Sequence, residues 1–240
     1  MNDVGDAFRF IGDNPSLLLH SAGHQLVVAA IALVISLAIA VPLGVWLGHR
    51  HRGAFIAINV SNIGRALPSL ALIAMLIAVI GIGDVPLVIA LVVLAVPPVL
   101  TNAFVAIDGV DRDVVDAARG MGMSEAEIVR QVEFPLGIPL LFAGIRTAAV
   151  YVVATVPLGA VTGAGGGLGD IIANQASYRL SGVIGAAICV AVLALLVDLV
   201  FVGLQYAVTP RALRRPGQGP ELDPTLTNVS IASIDRSSEP

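Results

Sequence analysis

The sequence predicts an all-α fold: a polytopic membrane bundle of about five transmembrane helices. Three observations lead there. Hydrophobic residues make up 57% of the 240 and charged residues 12%, with a mean hydropathy of +0.92, whereas a soluble domain is about 45–50% apolar and about 25% charged. Five segments, at about 25–48, 54–80, 85–107, 141–160 and 182–207, each supply the roughly 17–25 apolar residues that a bilayer-crossing helix needs. None alternates with period 2. Backbone in lipid must satisfy its own hydrogen bonds, so these segments form helices and not a barrel.

Residues 1–23 carry Asp3, Asp6 and Asp13 against Arg9. A secretory signal begins with a positive region and a longer apolar run than LLLH at 17–20, so this stretch is expected to be a short external or interfacial segment. The membrane domain follows over 24–210. Pro42, Pro68, Pro97, Pro98 and Pro157 fall in or near the spans. Each removes a backbone donor and tends to kink a helix, which suits a bundle that moves. Residues 211–240 are rich in Pro, Ser, Thr, Asn and Gly, and a disordered tail is expected.

Arginine placement orients the spans. Arg50 and Arg52 follow the first span, Arg112, Arg119 and Arg130 follow the third, and Arg211, Arg214 and Arg215 follow the fifth; the other side holds Arg9 and Arg179. The positive-inside rule then puts the N-terminus outside and the C-terminus in the cytoplasm. His49 and His51 read as part of the same cytoplasmic anchor, and Trp46 as an interfacial belt residue. The net charge of -4 and the absence of a basic stripe give no footprint for nucleic acid. Cys189, the single cysteine, lies in an apolar run and permits no internal disulfide.

The most informative segment is the polar loop at 108–140, which falls on the cytoplasmic side. Asp113 to Arg119 reads as a short helix, and Gly120 and Gly122 interrupt it. Ser124 opens a second helix with Glu127 three residues on, a capping box. Pro135 is expected to end that helix, because the residue before a proline is pushed from helical geometry. Ala117 and Ala118 present a small surface, and Met121 and Met123 offer adaptable apolar contacts. Two readings fit these residues: a plug for a groove on a partner, or a hairpin lying on lipid.

The loop resembles the EAA loop of bacterial ABC importer permeases: an acid-Ala-Ala triplet, three residues, Gly, nine residues, an aliphatic, one residue, an aliphatic or aromatic, then Pro. This chain has Asp116-Ala117-Ala118, Gly122, Val132, Phe134 and Pro135. It departs by Asp at 116, Val at 132 and Phe at 134. Over roughly 20–210, RALPSLALIAMLIAVIGIG at 65–83, NAFVAIDGVD at 102–111 and GIRTAAVYVVATVPLGAVTGAGGGLGD at 144–170 are similar to permeases that import glycine betaine, choline, carnitine and related osmoprotectants. Permeases for methionine and other small solutes share parts of the pattern.

The resemblance implies the type I importer permease fold, as in the methionine permeases. It also implies a coupling helix seated in a groove of an ATP-binding subunit. Asp116, Ala117, Ala118 and Gly122, flanked by Met121 and Met123, would carry that contact, and Pro135 would shape the exit from the loop. The implied partners are an ATP-binding ABC subunit, a second permease (identical or homologous), an external substrate-binding protein and the lipid bilayer. No cofactor is expected on this chain; ATP and Mg belong to the ATPase subunit.

Gly163 to Asp170, GAGGGLGD, lacks the Gly-Lys-Ser/Thr ending of a P-loop and does not fit GxGxxG. It reads as a flexible external turn. Asp198 is the one acid deep within a span, and such a group is a functional candidate by default; it is expected to pair with Arg65, at similar depth, or with Arg146. Quaternary ammonium groups are commonly held by aromatic cages, and Trp46, Tyr151, Tyr178 and Tyr206 make no cage recognisable in sequence. A stand-alone secondary transporter with broken helices is the rival reading; against it stand the complete coupling-loop pattern, only one deep acid and no evident inverted repeat. A membrane-embedded enzyme lacks any His/Asp/Glu cluster, Ser/His pairing or HExxH.

Overall fold

A computed structural model describes residues 3–51 and 67–209 and, between them, Phe55, Asn59, Val60, Asn62, Gly64 and Ala66. The α-helices delimited among the described residues are, in chain order, α1 (Asp3–Asp13), α2 (Pro15–His49), α3 (Ser69–Ile80), α4 (Asp84–Asp108), α5 (Arg112–Gly120), α6 (Glu125–Ile128), α7 (Phe134–Thr155), α8 (Leu158–Val161), α9 (Leu168–Ala173) and α10 (Gln175–Val208). No strand occurs among the described residues.

Among the described residues, four helices are long and apolar enough to cross a membrane: α2, α4, the run Glu125–Val161 that contains α7, and α10. They match the first, third, fourth and fifth expected spans. Of the second, 54–80, the twelve-residue apolar helix α3 is described. The expected disordered tail, with Arg211, Arg214 and Arg215, lies outside the described residues, as do Arg52 and Arg65.

Helix α2 starts at Pro15, well before the apolar run. A proline at the first helical position gives up a donor that would be unpaired anyway. At about 1.5 Å per residue its 35 residues reach about 52 Å, so its first turns extend past a hydrocarbon core of roughly 30 Å. In front of it, α1 lays Ala7, Phe10 and Ile11 on α10. Phe10 meets Tyr178 edge-on at 6.2 Å, and a Cβ on Gly185 would approach the Ala7 carbonyl at 3.2 Å.

The centre of the bundle is α2 on α4 on α7. Ala32, Ser36, Ala40, Gly44 and Gly48 recur every fourth residue of α2 and are all buried, which stacks them on one face. A Cβ on Gly48 would lie 2.8 Å from both the Phe104 carbonyl and the Ile107 Cβ, and one on Gly44 would lie 2.9 Å from the Leu100 carbonyl. Small residues thus bring the two backbones together, as at close helix contacts in lipid. Val28, Leu87, Leu91, Val99, Ala148 and Val152 fill the core around this seam. The outer side of α10, with Val192, Leu195, Leu199 and Val200, is uncovered.

At the end of the bundle away from the polar loop, the Gly163–Asp170 segment is not the flexible turn expected. Ala164 and Leu168 are buried in it, and Ile171 just after it. Gln25, fully buried on α2, donates from Nε2 to the Val153 carbonyl at 3.0 Å and accepts the Leu168 N–H on Oε1 at 3.3 Å. Gly167 has φ 58, and a Cβ there would lie 2.6 Å from the Ser21 carbonyl. The glycines allow close packing against α2; local composition alone reads the same as a mobile loop.

Candidate functional site

The polar loop folds into a helix–turn–helix unit with its own core. Asp111 caps α5 by accepting the Asp113 N–H at 3.0 Å. The helix stops in a Schellman turn: the Gly122 N–H bonds the Arg119 carbonyl at 3.0 Å, and the Met123 N–H bonds the Ala118 carbonyl at 3.3 Å. Gly122 sits at φ 85 with nothing within 4 Å of a would-be Cβ, so backbone conformation and not space calls for glycine there. Ser124 starts α6, and the Glu127 carboxylate accepts from its N–H at 2.8 Å and from its hydroxyl at 2.7 Å. Val110, Val115, Ala118 and Ile128 bury one another, with Met123 and Val132 against them.

Pro135 does not end the second helix, and this corrects the expectation. Val129–Glu133 forms one π-helical turn, in which the Phe134 N–H reaches the Val129 carbonyl five residues back, and the chain runs on into α7. The wider turn accommodates a residue that lacks an N–H and crowds the carbonyl four positions earlier. Pro135 is half-buried at the base of α7.

Of the residues expected to meet a partner, Asp116, Ala117, Met121 and Gly122 are exposed, Met121 at 77%. Ala118 is 2% exposed and belongs to the loop's own core, and Met123 is half-buried beside it. The outward face therefore has a small residue, a flexible apolar one and an acid, held by a rigid turn.

Charged groups fasten the unit to α2. Arg119 donates to Asp116 at 2.9 Å and grips both Glu125 oxygens, at 3.1 and 3.2 Å. His49, at the end of α2, lies between two carboxylates: Nδ1 is 2.8 Å from Glu133 and Nε2 is 3.2 Å from Glu125. Glu133 is 1% exposed. His51 meets Asp108 at 2.7 Å, and the Arg50 guanidinium lies 5.2 Å from the Trp46 ring centre. A polar cavity of about 220 Å³ opens between His49, Arg112, Asp116 and Glu133. The hydrogen bond from Arg119 holds the Glu125 carboxyl below the usual range, and the Ser124 N–H does the same for Glu127. Bonding to Glu125 raises Arg119.

Sequence reasoning took His49 as a membrane anchor and did not single out Glu133. The two are 84 positions apart. An acid inside the run VRQVEFP, on the threshold of an apolar helix, was the available signal.

A second polar locus lies within the spans. Asp198 of α10 accepts from Arg146 of α7, Nε to Oδ1 and Nη2 to Oδ2, the latter at 2.7 Å. Of the two partners considered for Asp198, Arg146 is thus bonded to it and Arg65 is outside the described residues. Arg146, Thr147, Tyr151 and Asp198 line a cavity of about 550 Å³ on the open face of α7 and α10.

The model of the binding-protein-dependent transport system inner membrane component family matches residues 40–214. A glycine betaine/carnitine/choline transport permease of Bacillus subtilis, OpuCB, is 39% identical over 212 residues, covering 88% of this chain and 97% of the relative. The carnitine transport permease OpuCB of Listeria monocytogenes is 38% identical over 88% of this chain and 97% of its own length. The choline transport permease OpuBB of Bacillus subtilis is 37% identical over 86% and 95%. Among solved structures, an inward-facing form of the MetNI methionine ABC transporter superposes with a TM-score of 0.72 at 25% identity, over 82% of this chain and 99% of that one. These matches and the helical bundle lead to one conclusion: the chain belongs to the binding-protein-dependent transport system inner membrane component family, as a multi-pass permease subunit of an ABC importer.

Proposed function

We propose that this permease carries an osmoprotectant such as glycine betaine, choline, carnitine or proline inward across the bacterial cytoplasmic membrane. A separate ATP-binding subunit hydrolyses Mg-ATP, and an external binding protein delivers the solute. The observation that carries the solute class is the 37–39% identity, over nearly the whole chain, to permeases named for quaternary ammonium solutes. The loop unit supports the mechanism. Its exposed Ala117, Met121 and Gly122 fit a groove on the ATP-binding subunit, and His49 ties the unit to α2. When the ATPase subunits close and move the loop, the linkage at His49 and Glu133 and the unbroken run into α7 carry the motion to two spans at once.

With the loop in the cytoplasm, α2 runs inward from an external N-terminus and α10 brings the C-terminus inside, as the arginines favour. A second permease, identical or homologous, covers the open face of α7 and α10. The likeness to the methionine transporter favours a second reading, an amino-acid cargo, at lower identity. The test is ATP-driven uptake into proteoliposomes holding this chain, its ATP-binding subunit and its binding protein. Labelled glycine betaine, carnitine or choline should accumulate and methionine should not. Methionine uptake without uptake of quaternary ammonium solutes would replace the proposal with the second reading.

A further inference from the structure

The Arg146–Asp198 pair is placed unlike the fully buried polar groups of the spans. Gln25, Ser36 and Thr155 are buried, and each gives its hydrogen bond to a backbone carbonyl: Val153, Ala32 and Tyr151 in turn. Those groups serve the fold. Arg146 and Asp198 are 39% and 26% exposed, facing the 550 Å³ cavity on α7 and α10. A pair that only fixed helix register would gain from enclosure, since ionic groups facing hydrocarbon are costly. Arg146 spends Nε and Nη2 on Asp198, and among the described residues Nη1 has no partner. Tyr151, also on the cavity, is exposed.

We propose that this cavity is a solute-binding site on the translocation path, and that it selects a zwitterion with a carboxylate and a quaternary ammonium group. This rests on the transport reading above, in which a second permease closes the open face. The bidentate pair is neutral as a unit, so it favours a ligand of zero net charge. Its free guanidinium N–H takes the solute carboxylate as a charge-assisted bond. A quaternary ammonium has no N–H to donate and is held by charge and by an aromatic face, which Asp198 and the Tyr151 ring supply. Glycine betaine and carnitine satisfy both ends. Choline, a cation without a carboxylate, leaves Arg146 unused.

The test compares uptake of glycine betaine, carnitine and choline by the reconstituted complete transporter for wild type, Arg146→Gln, Tyr151→Leu and Tyr151→Phe. Loss of one charge-assisted bond should lower betaine and carnitine uptake roughly tenfold relative to choline in Arg146→Gln. Tyr151→Leu should lower all three roughly threefold, and Tyr151→Phe, which keeps the ring, should lose less than Tyr151→Leu. An unchanged betaine-to-choline ratio in assembled Arg146→Gln transporter would overturn the site, because a purely structural pair affects all solutes alike. If that variant fails to assemble, Tyr151→Leu decides, and unchanged uptake there refutes the proposal. Wild-type uptake of none of the three solutes would refute the solute class itself, and the site with it.

Discussion

His49→Ala isolates the connection between the loop and α2. In the wild type the imidazole reaches Glu133 at 2.8 Å and Glu125 at 3.2 Å. Glu125 keeps Arg119 when His49 is removed, but Glu133, 1% exposed, loses its described partner. Leaving a buried carboxylate without its partner costs about 3–5 kcal/mol. Glu133→Gln leaves an amide that still hydrogen-bonds the imidazole, for a loss of about 1–2 kcal/mol. The double variant no longer holds a buried orphan charge, so its loss should not exceed that of His49→Ala alone. Thermal unfolding in nanodiscs reads the order directly. His49→Ala should melt lower than wild type by on the order of 10 °C, with Glu133→Gln between them. Melting of His49→Ala within about 2 °C of wild type, or a double variant at the sum of the singles, would refute the argument, since independent sites add and coupled ones do not.

Other expectations follow from the same geometry. Gly122→Ala, at φ 85, should cost about 1 kcal/mol from backbone strain alone, and Gly122→Asn less, measured as loop hydrogen-exchange protection. Gly48→Leu should destabilise the bundle by at least about 1–3 kcal/mol, because the added side chain meets Phe104 and Ile107 at the α2–α4 seam; folded yield checks it. The Glu125 and Glu127 carboxyls are depressed in the folded loop, so their contribution is present above the ordinary value near 4.5 and is lost as pH falls through the lower folded values. Protection of the loop amides, relative to their intrinsic exchange, should therefore be level from pH 5 to 8 by this mechanism and fall only below about 4.5. Arg119→Gln should raise the folded value of Glu125 toward 4.5 and so shrink its share of that loss.

The helical class was legible because long apolar runs without period-2 alternation leave lipid-exposed backbone one solution. The Ser124–Glu127 capping box was legible because caps are local, and so was the glycine turn at Gly122. The continuation through Pro135 was not. A single π-helical turn reconciles a proline with a helix, and residue preferences assume the α-helical ladder. The small-residue stripe from Ala32 to Gly48 was written at a four-residue spacing but lay hidden in a composition where Ala and Gly are common. The partners of His49 and Gln25 are residues more than seventy positions away, and no local pattern announces them. Gly163 to Asp170 shows the same limit: glycines that permit close packing and glycines that permit motion look alike until their neighbours are known.

The most direct measurement of the central claim is capture of the ATP-binding subunit by detergent-solubilised permease, comparing wild type, Met121→Glu and Val161→Glu. Met121 is 77% exposed at the tip of the loop unit, and Val161, 63% exposed, lies after α7 near the other end of the bundle. Neither change disturbs a buried contact, so folding should be preserved in both. A loop that docks through its tip predicts capture by wild type and Val161→Glu and a loss of roughly tenfold or more in Met121→Glu. Equal capture by all three folded proteins would contradict docking through the Met121 tip of this loop.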